Sequence, residues 1–268
     1  MTDQASEQPR QEDDLPTFWD TAVTRWLVGL CLMLHGLNAI MQVEVRHGGE
    51  RHVVGLLTYY GNFNVGQGIN GFEFWRLFTY QFLHGGWLHL GMNMMALVVF
   101  GPMVEKWWGP RRFLAFYLLC GACGAWLMAL FAFNPDLLNA GEAWLVGASG
   151  SIFGVLVAVA MLYPKVEFKL MIPPIWVTAR TLAIVFILLS IASMFVGFNL
   201  GGNAAHLGGA LFGYALVKRP WSLDFADPEG PRLDPPDEGG SEEESAEEGD
   251  PAEPSRTPTD GPGHGGGA

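Results

Sequence analysis

Charge is scarce in this chain. Only 16% of its 268 residues are charged, while 50% are hydrophobic. Soluble domains carry about 25% charged residues, so the composition argues for a membrane protein. Cysteine is also scarce: three residues do not make a disulfide framework. Two of them form "CGAC" at Cys120 and Cys123. A redox pair needs an accessible helix N-terminus, and this one lies midway along an apolar run, where small-residue packing is the expected role. The chain has no HExxH, which argues against a zinc protease of that type.

The net charge of −12 reflects 27 Asp and Glu against 15 Lys and Arg. From Leu223 to Ala268 there are 14 acids and 2 bases, which leaves 13 of each in the rest. The acidity therefore belongs to the tail and says nothing about ligands of the body. That tail is dense in Pro, Gly, Glu and Ser and has no aromatic residue beyond Phe225. It cannot bury enough apolar surface to offset its ordering entropy, so it is expected to be a disordered, solvated extension. An acidic interaction tail is the functional alternative. The first residues, "MTDQASEQPRQEDDLP", form a second polar arm without the basic start and cleavage site of a signal peptide. The expected division is a polar arm over 1–18, a membrane domain over 19–221 and a tail over 222–268.

About 20 apolar residues cross a bilayer core. Six such runs are expected, near Ala22–Gln42, Trp87–Val104, Phe113–Phe133, Ser149–Tyr163, Val177–Val196 and Ala204–Val217. The fourth and sixth are short, which requires their N-termini to lie inside protein rather than lipid. Pro164 and Pro220 close them. The fold class is thus an all-α polytopic membrane bundle.

Basic residues near span ends set orientation. Lys106, Arg111 and Arg112 follow the second run, Lys165, Lys169 and Arg180 surround the loop after the fourth, and Lys218 and Arg219 follow the sixth. The loops after the third and fifth have none. Both termini are then expected in the cytoplasm. The long first loop, about Glu44 to Leu83, is the exception: Arg46, Arg51 and Arg76 are balanced by Glu44, Glu50 and Glu73. Its "GFEFWRLFTYQF" is amphipathic and suited to the headgroup level. A loop of that size with its own structure is usually functional.

Polar groups inside spans are costly, so they are functional candidates. "VGASGSIFG" places Ser149 and Ser151 among Gly147, Gly150 and Gly154. Gly150 and Gly154 also make a GxxxG packing signature, so these serines could simply pack. "LHGGWLHLGMNMMAL" places His89 and Asn93 four apart, on one helix face, with His84 about a turn earlier. "GGNAAHLGGALFGYALV" carries His206, followed by Gly209 and Gly213 at GxxxG spacing. The fourth run, with its own glycines, is the natural partner for that surface.

A catalytic serine needs a base for its proton and donors for the developing oxyanion. His206 can be the base. Asn93, His89 and the Ser149 backbone N–H near a helix start can be donors. No Asp or Glu lies within the spans near these groups. Glu105 is at the inner end of the second run, and Asp136 and Glu142 are in a loop. The chemistry would then be a Ser–His dyad without a buried acid.

These residues resemble a rhomboid intramembrane serine protease. The resemblance covers roughly Trp19 to Arg219 and rests on "FWR" at Phe74–Arg76, "HGGWLHLGMN" at His84–Asn93, "GASG" at Gly147–Gly150 and "AHLGG" at Ala205–Gly209, in that order. It implies Ser149 as nucleophile, His206 as general base, and His89 and Asn93 lining the oxyanion hole. Trp75 and Arg76 would belong to a membrane-embedded first loop. The serine would start a helix below the membrane surface, beneath a water-filled cavity. The implied substrates are transmembrane segments of other proteins, cut near the outer face, with small residues and helix-weakening sequence at the scissile bond. No cofactor and no nucleic acid is implied, and the oligomeric state stays open.

One departure is visible. Many bacterial relatives carry Tyr one turn after the serine, stacked on the histidine; here it is Phe153. The ring remains and the hydroxyl is gone, which should matter little. The form resembled is the simplest bacterial one, with six spans and no seventh helix or soluble amino-terminal domain. A prokaryotic plasma membrane is the expected location. The alternative is an inactive rhomboid-like chaperone or binding protein, against which Ser149 and His206 both argue. A transporter would predict inverted repeats and midplane charges, and neither is seen.

Overall fold

Residues 15–47, 50–133, 144–170 and 174–230 are described by a computed structural model. The arm over residues 1–14, the loop carrying Asp136 and Glu142, and the tail from 231 onward lie outside the described residues. So do the side chains of Arg46 and Glu50.

The chain is mostly helical. It begins with α1 (Ala22–Ile40), then the antiparallel hairpin β1 (Gln42–His47) and β2 (Glu50–Gly55), and the short α2 (Leu56–Gly61). After a π-turn at Gly66–Asn70 comes α3 (Arg76–Thr79), continued by a 3-10 turn at Tyr80–Phe82. The long α4 (Trp87–Trp108) and α5 (Pro110–Ala132) follow. Next are α6 (Ser149–Leu162), the small hairpin β3 (Glu167–Lys169) and β4 (Trp176–Thr178), α7 (Ala179–Phe195) and α8 (Leu200–Lys218). A 3-10 turn at Pro220–Ala226 is the last element before the described residues end at Gly230.

Helices α1, α4 and α5 are long and apolar enough to cross a membrane by length and composition. Helices α6 and α7 are shorter, at 14 and 17 residues. Helix α8 corrects the sequence expectation. It begins at Leu200 rather than Ala204 and runs 19 residues. The cause is local capping. Asn199, at φ 45°, accepts a hydrogen bond from the Gly202 N–H at 3.3 Å through its side chain. Asn203 Nδ2 donates back to the Phe198 carbonyl at 2.8 Å. These bonds hold the glycine-rich "LGGN" in the helix despite its weak apolar character.

Helices α4 and α5 are separated by one residue. Gly109 has φ +83°, a left-handed conformation that glycine adopts without cost, and Pro110 starts the next helix. At the same end of the molecule Glu105, 4% exposed, reaches from α4 to the start of α1. Its carboxylate accepts from the Val23 N–H (2.9 Å), the Thr24 N–H (2.7 Å) and Thr24 Oγ1 (2.8 Å). It satisfies donors that a helix start leaves without intrahelical partners.

Helix α6 is the axis of the bundle. Every residue from Gly150 to Ala160 is buried, and α4, α5, α7 and α8 all pack on it. Its approach to α8 is a backbone contact. A Cβ on Gly209 would run into the Gly150 carbonyl, and one on Gly213 would sit 2.7 Å from Gly154 Cα. The two small-residue stripes meet each other, as GxxxG surfaces do when helices press together. Helix α8 also packs tightly on α5, where a Cβ on Gly124 would lie 2.6 Å from the Ala205 carbonyl oxygen. Cys120, on α5, is buried against Gly154 of α6.

The outer faces are apolar and open. Trp26, Met33 and Ile40 on α1 and Ile184, Leu188 and Leu189 on α7 are exposed. Such surface suits hydrocarbon rather than water. After α8, Leu223 is fully buried and Arg112 pairs with Asp224 at 3.1 Å. Arg111 pairs with Asp227 at 3.3 Å. Packed chain thus continues past residue 221.

Candidate active site

Ser149 is the first residue of α6, and the backbone leading to it is tethered. Leu145 exchanges both backbone hydrogen bonds with Phe63, at 2.8 and 3.0 Å. The Gly147 N–H donates to the Tyr80 carbonyl at 3.0 Å. Gly147 then turns the chain at φ +124°, a conformation that only glycine holds comfortably. Tyr80 is itself fixed, because its hydroxyl donates to the Gly121 carbonyl at 2.7 Å.

The Gly150–Gly209 contact sets Ser149 beside His206, 57 positions away in the chain. Ser149 Oγ and His206 Nε2 are 2.8 Å apart. Phe153, one turn after Ser149, lies parallel to the imidazole. On the other side of the ring His206 Nδ1 is 3.3 Å from Ser190 Oγ on α7.

The other expected residues surround this pair unequally. His89 sits on Gly147: a Cβ there would be 2.7 Å from His89 Cε1 and 3.8 Å from Ser149 Oγ. Its Nδ1 accepts from the Gly85 N–H at 3.4 Å. Asn93 is buried one turn further along α4 and donates Nδ2 to the His89 carbonyl at 2.9 Å. His84 is buried before α4 and meets His89 edge to face, with centroids 5.3 Å apart.

Trp75 and Arg76 do not join the pair. Trp75 is 54% exposed. Arg76 is buried and knits the segment between α1 and α4 together. Its guanidinium donates to the Tyr59 carbonyl (3.2 Å), the Asn62 carbonyl (2.8 Å) and Glu73 (2.5 Å). It supports Tyr80 and Gly147 indirectly by fixing that segment.

Ser151, the other serine of the motif, points away from His206. Its hydroxyl donates to Gln81 Oε1 at 2.9 Å, and Gln81 Nε2 donates to the Leu77 and Leu118 carbonyls at 2.9 and 3.1 Å. Gln81, Tyr80 and Ser190 are absent from the sequence-derived set. Ser190 was detectable as a lone hydroxyl in the apolar "VFILLSIA"; Tyr80 and Gln81 were hidden in what reads as an amphipathic surface segment.

A serine hydroxyl 2.8 Å from an imidazole nitrogen at a helix start is suited to nucleophilic chemistry. Glu105 cannot assist, since about 24 Å of helix separates it from His89 along α4. Among the described residues no group of three or more His, Cys, Asp or Glu side chains is placed to hold a metal ion.

Comparison with known proteins adds a separate line of support. Rhomboid protease GluP of Bacillus subtilis (strain 168) is 33% identical over 172 residues, 63% of this chain and 30% of that protein. Rhomboid protease AarA of Providencia stuartii is 30% identical over 155 residues, 54% of this chain and 55% of that one. Inactive RHOMBOID-like protein 8 of Arabidopsis thaliana is 36% identical over 78 residues, 28% of this chain and 22% of that one. The chain spans less than two thirds of the length of each. The family model described as the Rhomboid domain matches residues 71–219, more than half of the chain, and the protein belongs to the rhomboid family.

Proposed function

We propose that this protein is an intramembrane serine endopeptidase that cleaves transmembrane segments of other membrane proteins. The observation that carries the reading is the 2.8 Å contact between Ser149 Oγ and His206 Nε2 in a chain of this family.

In this reading His206 Nε2 takes the Ser149 proton as Oγ attacks the scissile carbonyl. The tetrahedral oxyanion is held by the Ser149 backbone N–H, Asn93 Nδ2 and His89. Asn93 must turn its amide from the His89 carbonyl toward the substrate oxygen for this. His206 then returns the proton to the leaving amine, and the acyl-enzyme is hydrolysed by water that His206 activates. Gly147 and Gly150 shape the approach, Phe153 fixes the imidazole plane, and His84 backs His89. Trp75 and Arg76 belong to a first loop that dips into the membrane.

Six helices cross the bilayer: α1, α4, α5, α6, α7 and α8. The protease domain runs from about residue 19 through the turn after α8, between the polar arm and the acidic tail. With basic residues inside, both termini are cytoplasmic and the site opens to the outer face of a prokaryotic plasma membrane. Helix α6 explains the depth of the serine. Its 14 residues span about 21 Å, short of the roughly 30 Å hydrocarbon core. With its C-terminal end at the inner interface, Ser149 sits below the outer surface, where only protein and water surround it.

One relative is named as inactive. A binding role alone is disfavoured here by the presence and contact of both Ser149 and His206. The test is cleavage of a single-span reporter protein co-reconstituted in liposomes. Wild type should cut it within or just outside the bilayer, Ser149→Ala should not, and Asn93→Ala should be slower by up to about two to three orders of magnitude. Equal cleavage by Ser149→Ala would end this reading.

A further inference from the structure

The imidazole of His206 is held at three points, and a two-residue mechanism uses only one of them. Nε2 faces Ser149, the ring face meets Phe153, and Nδ1 faces Ser190 Oγ at 3.3 Å. Ser190 is 5% exposed, between apolar neighbours on α7. Phe186, one turn earlier on α7, packs edge to face on Phe153 with centroids 6.3 Å apart. The same face of α7 therefore supports the stacking ring and touches the imidazole.

We propose that Ser190 is a positioning residue that selects the reactive tautomer of His206. This rests on the reading of His206 as general base. A neutral imidazole carries one N–H, and which nitrogen holds it is decided by the partner of the other nitrogen. A base at Nε2 needs its proton on Nδ1. The Ser190 oxygen stands where that Nδ1–H can be accepted. A helix serine can pass its own proton to the carbonyl four residues back, which leaves its lone pairs for the imidazole. When Nε2 takes the Ser149 proton, the ring becomes cationic and the same acceptor stabilises it. A bond that strengthens as charge develops lowers the barrier rather than merely binding substrate. On α6 the ring faces Ser149 and Phe153, and on α7 it faces Ser190.

The test is the second-order rate constant for labelling by a fluorophosphonate probe in detergent, which reads nucleophile activation without substrate docking. Ser190→Ala should lower it about three- to tenfold, the range of one lost hydrogen bond. Ser190→Thr and Ser190→Val are matched in size and differ in the hydroxyl. Threonine should stay near wild type, and valine should fall with alanine. The final extent of labelling reports the folded fraction and should match wild type in all three. With a cleaved reporter segment, kcat should fall and KM should hold. A wild-type rate constant for Ser190→Ala overturns the proposal, and so does a threonine variant as slow as valine. Wild type that takes no label fails differently: it removes the protease reading, and this assignment falls with it.

Discussion

Phe153 lies flat against His206, with ring centroids 4.2 Å apart and planes within 4°. The stack leaves the imidazole edge free for its two hydroxyl neighbours and fixes the plane in which they must lie. The hydroxyl of a tyrosine is not needed for that. Phe153→Tyr should therefore label at close to the wild-type rate. Phe153→Ala removes the stack and opens a cavity, which costs about 3–5 kcal/mol for Phe-to-Ala changes in packed cores. It should melt earlier in detergent and label more slowly even at temperatures where it is folded.

The α6–α8 seam sets the Ser149–His206 distance, so added volume there should separate the pair. Gly209→Val has no room against the Gly150 carbonyl. It should abolish labelling or prevent folding. Gly36 on α1 has nothing within 4 Å of an added Cβ. Gly36→Ala should be neutral or stabilise by about 0.5–1 kcal/mol, since alanine is the better helix former. Thermal unfolding of both variants checks the contrast.

Glu105 joins α4 to α1 through three hydrogen bonds. Glu105→Ala leaves the two buried Thr24 donors without their carboxylate, at about 1–3 kcal/mol for each one left unsatisfied, and the part-buried Val23 N–H as well. Glu105→Gln keeps an acceptor oxygen and should lose less. Melting temperatures in detergent should rank wild type, then glutamine, then alanine. Labelling rates well below those melts should be equal, because the residue is remote from Ser149.

Two truncations should behave differently. Ending the chain at Gly230 keeps Leu223, Asp224 and Asp227 in place. Labelling and melting should match the full chain. Ending it at Trp221 removes Leu223, which is fully buried, at about 1.5–3 kcal/mol. It also removes both acidic partners of Arg111 and Arg112. That version should melt measurably earlier.

Much of this arrangement was legible in the sequence because membranes make polar residues conspicuous. Ser149, His89, Asn93 and His206 stand out in apolar runs, and the two glycine stripes say which helices approach. The start of α8 was not legible. Hydropathy falls across Leu200–Asn203, and side-chain capping by Asn199 and Asn203 helps to hold those residues in the helix. The tether from Leu145 and Gly147 to Phe63 and Tyr80 is backbone pairing between distant segments, which no spacing reveals. Ser190 was visible as a polar residue in α7. Its meaning depends on the rotation of α7 against α6 and α8, which is set by packing rather than by any local motif.

The most direct test of the central claim is to locate a fluorophosphonate adduct by mass spectrometry in purified wild type, Ser149→Ala and His206→Ala. The account predicts a single adduct on Ser149 in wild type and none in either variant, with all three folded by thermal melt. A folded wild type that takes no label, or a His206→Ala variant that labels as fast as wild type, would contradict it.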